Sequence, residues 1–97
     1  MSWNVRGLNS NIKKKSVARI INKKGVGMAL IQETKMASFD SKAIGQIWNG
    51  LPAEFEFLPA SGSSGGLLLS WSPSFFASSG THKGSSWLAI EGTLIQK

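Results

Sequence analysis

Cysteine and tyrosine are both missing from this 97-residue chain. Without thiols, disulfides and thiolate metal sites are excluded, and the redox compartment stays open. Acid is scarce as well: there are five carboxylates against eleven lysines and arginines. Asp40 is the single aspartate and His82 the single histidine, so few groups are available to act as a general base. No apolar run exceeds four residues, far short of a membrane span. Nor does a basic start lead into an apolar stretch, as it would in a signal peptide. These absences imply an intracellular chain with no membrane association. The length allows one domain, or a piece of a larger one, and an apolar content of 41% argues against disorder.

The net charge of +6 is unevenly spread. Residues 6–24 carry seven cations (Arg6, Lys13, Lys14, Lys15, Arg19, Lys23 and Lys24) and no acid. The rest of the chain holds four cations against five anions. Basicity concentrated on one element is either a solvated face or a surface for nucleic-acid phosphates.

The stretch Met28-Ala29-Leu30-Ile31-Gln32-Glu33-Thr34-Lys35 organises the chain. Its four apolar residues, preceded by Gly25 and Gly27, predict a strand over 26–32, buried on both faces and ending at the Glu33 carboxylate. A first strand is predicted over 2–6, where Asn4, a poor strand former, sits between Trp3 and Val5. Between them, Ser10 or Asn9 can cap a helix over 11–24 that Gly25 stops. Val17, Ile20 and Ile21 form its apolar face with Ala18 at the margin, and Lys15, Arg19 and Lys23 lie opposite. Strand, helix and strand joined by short connections make a βαβ crossover with parallel strands. Asn4 and Glu33 then converge at one sheet edge, where open α/β sheets bind ligands. Glu33 is a hard oxygen ligand and Asn4 a neutral one, a pairing that suits magnesium, while Asn4 could equally hydrogen-bond a phosphate oxygen or a catalytic carboxylate. The bland alternatives are a solvated carboxylate beside Lys35 and a satisfied buried amide.

Asp40 is the expected cap of a second helix over 41–49, with Phe39 and Ile44 as its hydrophobic staple and Gly50 as its stop. Ala43, Ile44, Ile47 and Trp48 form its buried stripe. Glu54-Phe55-Glu56-Phe57-Leu58 alternates, as a strand with one wet face does. Ser61–Gly65 reads as a flexible turn, and Gly66–Trp71 as a buried strand. Strands over 74–77 and 86–95 flank a turn at His82-Lys83-Gly84, which makes the second half an antiparallel meander. Trp3, Trp48, Trp71 and Trp87 are all expected in the core.

Three segments carry a family likeness: Trp3-Asn4-Val5-Arg6-Gly7-Leu8-Asn9, Ile31-Gln32-Glu33-Thr34-Lys35, and Ser64-Gly65-Gly66-Leu67-Leu68-Leu69. In this order and spacing they resemble the endonuclease/exonuclease/phosphatase superfamily. Within it they are similar to the apurinic-type endonuclease domain of LINE-type (non-LTR) retrotransposons. The resemblance implies an α/β chain forming the N-terminal part of a four-layer αββα sandwich, with residues 1–97 as a partial domain. It also implies cleavage of DNA phosphodiesters with magnesium or manganese. Asn4 would support the carboxylate and phosphate, and Glu33 would ligate the metal. Lys15, Arg19, Lys23 and Lys35 would meet the DNA backbone, in the nucleus if the protein functions. The family's later Tyr, Asp-Phe-Asn and Asp-His segments have no counterpart here, so a C-terminal half of the domain is an expected partner. The chain alone is expected to be inactive. Two alternatives are a catalytically dead nucleic-acid-binding remnant using the basic helix 11–24, and an interaction or pseudogene product without activity.

Overall fold

A computed structural model describes residues 1–8, 10–61 and 65–95. Asn9 as a second choice of cap, and the turn expected through Gly62, Ser63 and Ser64, lie outside them. The elements run β1 (Ser2–Asn4), α1 (Asn11–Lys24), β2 (Met28–Gln32), α2 (Ser41–Ile47), β3 (Glu54–Leu58), β4 (Leu67–Trp71), β5 (Phe76–Lys83) and β6 (Leu88–Leu94).

Helix α1 occupies the expected span because both of its ends are locally encoded. Ser10 Oγ accepts the Lys13 N–H at 3.2 Å, and Gly25 takes the left-handed conformation at φ 60°. The Val26 N–H closes the helix end on the Ile21 carbonyl at 3.1 Å, so β2 begins at Met28 rather than at residue 26. The buried face of α1 is Val17, Ala18 and Ile21, and Ile20 is only half-buried. The stripe is turned toward Ala18, whose carbonyl accepts from Asn49 Nδ2 at 3.4 Å where α2 packs alongside. Asp40 caps α2 by accepting the Ala43 N–H at 2.8 Å. That helix stops at Ile47, not at residue 49, because Asn49 (φ 55°) and Gly50 (φ 77°) turn left-handed and Gly50 N–H bonds the Gly45 carbonyl.

The four-stranded sheet has the order β1-β2-β4-β3. As expected, β1 and β2 are parallel, with Asn4 opposite Gln32. The antiparallel pairs β3–β4 and β5–β6 of the expected meander are present, but β4 pairs on its other side with β2 rather than with β5, which places it between β2 and β3. Burial accounts for that order. Both β2 and β4 carry apolar residues on both faces and take the centre, whereas β3, with Glu54 and Glu56 on one face, tolerates the edge. β5 and β6 leave this sheet as a separate two-stranded ribbon. His82 and Lys83 belong to β5, and the turn falls at 84–87, closed by Gly84 N–H to the Trp87 carbonyl at 2.9 Å. The first strand also ends early, at Asn4 instead of residue 6, since Arg6 turns at φ 53°.

Both helices cover one face of the sheet. Val5, Val17, Ile21, Ala29, Ile31, Ile44, Ile47, Trp48 and Leu68 form the main core there, with Phe39 in the same cluster. A buried polar chain crosses it. Trp48 Nε1–H donates to Ser70 Oγ, which in turn donates to the Glu54 carbonyl, both at 2.8 Å. On the opposite face Leu69, Trp71 and Phe76 form a smaller cluster with Met28, Leu30, Leu88 and Ile90, beneath the β5–β6 ribbon. A Lys83–Glu56 ion pair of 2.8 Å ties the ribbon to β3, so the wet face of β3 is partly covered. Trp48 and Trp71 are buried and Trp3 is half-buried, but Trp87 is 54% exposed and is not a core residue.

Candidate functional site

The C-terminal ends of β1 and β2 lie side by side, and each continues into a loop of unusual backbone. Asn4 Oδ1 accepts the Arg6 N–H at 3.2 Å, a short Asx turn that starts the first loop. Gly7 N–H then bonds the Glu33 carbonyl at 2.7 Å, and Leu8 N–H the Thr34 carbonyl at 2.8 Å. On the other side, Thr34 and Lys35 donate to the carbonyls of Gly66 and Gly65 at 3.2 and 2.8 Å. Three loops are thereby laced together at one sheet edge. Among described residues, four non-glycines have positive φ, and three of them (Arg6, Glu33 and Lys35, at 53°, 56° and 57°) stand in this lacing. Left-handed backbone at non-glycine residues is costly and persists only where surrounding bonds hold it.

Asn4 and Glu33 line one open cleft of about 440 Å³, with Gln32, Leu58, Ser61, Gly65, Gly66 and the turn residues Ser85 and Ser86 among its walls. Glu33 is half-buried, and its Oε2 accepts the Gly65 N–H at 3.4 Å. It is the sole titratable group among the described lining residues. Lys35 belongs to the same loop system; its Cδ lies 3.7 Å from where a Cβ on Gly7 would stand. Lys15, Arg19 and Lys23 are exposed on α1 and do not line the cleft. Asp40 remains the α2 cap, and His82 sits 3.2 Å from Glu91 on the exposed ribbon.

Two features escaped the sequence reading. Lys13 Nζ donates to the Val5 carbonyl at 3.0 Å, pinning the end of β1 from the first turn of α1. A lysine inside an acid-free run carries no local sign of such a bond. The Ser85–Ser86 turn also reaches the cleft, and only the folding-back of the ribbon brings it there.

No cluster of three or more His, Cys, Asp or Glu side chains occurs among the described residues. A single carboxylate, sharing a cleft with an amide whose oxygen already accepts the Arg6 N–H, does not fit zinc, which takes three or four protein ligands of histidine, cysteine or carboxylate type. It does fit magnesium, which needs one or two carboxylates and completes its shell with water and phosphate oxygens.

A sequence model of the endonuclease/exonuclease/phosphatase family matches residues 1–95. No curated protein matches the chain. Among solved structures, the crystal structure of the AP endonuclease LMAP from Leishmania major is similar, with a TM-score of 0.57 and 21% identity. The match covers 77% of this chain and 24% of that one, so the chain spans about a quarter of that protein's length. At this identity the likeness is one of fold, and it agrees with the N-terminal part of such a sandwich.

Proposed function

Because this chain belongs to the endonuclease/exonuclease/phosphatase family, we propose that its cleft is the metal- and phosphate-holding part of a DNA endonuclease site, of the kind found in LINE-type retrotransposons. The observation that carries this reading is the meeting of Asn4 and Glu33 in one cleft at the ends of two parallel strands. Glu33 would be the protein ligand to magnesium or manganese. When bound, such an ion supplies charge neutralisation at the phosphate and polarises the scissile phosphorus centre. Asn4 has its Oδ1 engaged by the Arg6 N–H, which orients the amide and leaves Nδ2 to donate to a phosphate oxygen. The left-handed backbone at Glu33 supports its role as a preorganised ligand, since the loops and not the metal hold it in place. Lys35 adds positive charge beside the cleft, and Lys15, Arg19 and Lys23 extend it along α1 for sequence-independent attraction of the DNA backbone.

A second reading has its own support. In-line hydrolysis needs a base for the attacking water, and the described lining offers no titratable group besides Glu33. A carboxylate committed to the metal cannot also serve as that base. The 97-residue chain by itself would therefore hold nucleic acid without cutting it.

Magnesium titration followed by amide NMR tests the site directly. Shifts centred on Asn4, Glu33 and Gly65 are expected, and Glu33→Gln should abolish them. Supercoiled-DNA nicking should be absent for this chain. In a longer form carrying the Asp-Phe-Asn and Asp-His segments, it should be present and lost in Glu33→Ala. Wild-type nicking by that variant would sink the assignment.

A further inference from the structure

Trp87 is the large aromatic that the fold leaves most open. Single exposed apolar residues are ordinary on protein surfaces, so exposure alone assigns nothing. Its setting is more specific. Ser85 and Ser86, the two residues before it, line the Asn4–Glu33 cleft, so Trp87 follows directly on the cleft wall along the chain. The next residue, Leu88, packs under the ribbon with Leu69 and Trp71, which turns Trp87 to the other side. A Cβ added to Gly84 would collide with Nε1, Cδ1 and Cε2 of Trp87, so the pyrrole part of the indole lies against the Gly84 α-carbon. Gly84 N–H also bonds the Trp87 carbonyl at 2.9 Å. The ring is thus held on one side by backbone and is open to solvent elsewhere. A rigid aromatic side chain loses little entropy when it receives a flat partner.

We infer that Trp87 is a stacking platform for an unpaired nucleobase next to the phosphate held in the cleft. The inference rests on the reading of that cleft as a nucleic-acid site. Stacking needs only a π-face, so every base is accepted and the preference is for unstacked over paired nucleotides. A phosphate-binding cleft whose wall leads directly into an open aromatic would thereby select strands whose bases are flipped out, frayed or single.

The test compares two probes of equal length and charge: a single-stranded deoxyadenosine octamer, and the same sugar–phosphate chain without bases. Binding to the full chain is followed by anisotropy and by tryptophan fluorescence. Trp48 and Trp71 are buried and Trp3 is half-buried, so the part of the quenching that disappears in Trp87→Leu is the part that reports on Trp87. Trp87→Leu should weaken the octamer about tenfold, within the range for stacking one base on an aromatic ring. It should leave the abasic chain within about twofold, and Trp87→Phe should restore most of the octamer affinity. Equal loss on both probes, or no loss on either, overturns the proposal. Glu33→Gln should leave the base-dependent difference intact. A failure of magnesium binding at Glu33 therefore defeats the functional reading, while loss of the base-dependent difference defeats the stacking platform alone.

Discussion

Gly66→Ala is the substitution that probes the loop lacing most directly. Gly66 has φ 95°, and its carbonyl accepts the Thr34 N–H at 3.2 Å. An added Cβ would overlap Thr34 Oγ1, stand 3.2 Å from the Lys35 nitrogen and touch the Ala60 methyl at 3.5 Å. Thr34 cannot swing away, because it is fully buried and its Oγ1 accepts the Met36 N–H at 3.3 Å. The left-handed backbone costs an alanine about 1–2 kcal/mol. Overpacking a site that cannot relax adds about 1–3 kcal/mol. The expected loss is therefore about 2–5 kcal/mol, a large share of the stability of a small domain. Thr34→Ala alone should cost about 1 kcal/mol through its lost hydrogen bond. Combined with Gly66→Ala it should recover the steric part and leave the backbone part. Gly45→Ala is the control: nothing lies within 4 Å of its added Cβ, and an alanine inside α2 should gain about 0.5–1 kcal/mol. Urea unfolding read by circular dichroism gives these differences, with m-values of about 1–3 kcal/mol/M for a small protein. A Gly66→Ala midpoint matching the wild type, or a double variant whose loss equals the sum of the two single losses, would refute the reasoning. Gly65 N–H reaches the Glu33 carboxylate, so the same change should also weaken the magnesium-induced shifts.

Two further outcomes are expected. Binding to duplex DNA should fall as salt rises, with a log–log slope of about −0.9 per phosphate contacted. Replacing Lys15, Arg19 and Lys23 by Gln should flatten that slope, and an unchanged slope would leave α1 with only a solvated basic face. Leu94 and Ile95 are exposed near the end of β6, whose second edge is unpaired among the described residues. Such an edge invites pairing with another chain. Sedimentation should show concentration-dependent association that Leu94→Lys suppresses, and a monomer at all concentrations would exclude it.

The parts of this chain that were legible in its sequence are those whose causes are local. Ser10 and Gly25 bound α1 because a hydroxyl cap and a left-handed glycine act within one turn of where they stand. Asp40 caps α2 for the same reason. The parallel pairing of β1 and β2 follows from two short connections around one helix. With it comes the placing of Asn4 and Glu33 on a single edge.

What tertiary structure decided depended on partners distant in sequence. Nothing within Leu67–Trp71 says that it lies beside β2; that follows from two doubly buried strands competing for the sheet centre while β3 keeps its carboxylates at the edge. The left-handed turns at Arg6, Glu33 and Lys35 have no glycine to announce them, and they are held by bonds from other loops. Trp87 reads as a core aromatic by type, yet the ribbon turns it outward because Leu88 takes the inward place. Helix ends and strand periods are set by neighbours a few residues away. Sheet order, loop strain and the walls of a cleft depend on which distant surfaces need covering, and only the folded chain settles that.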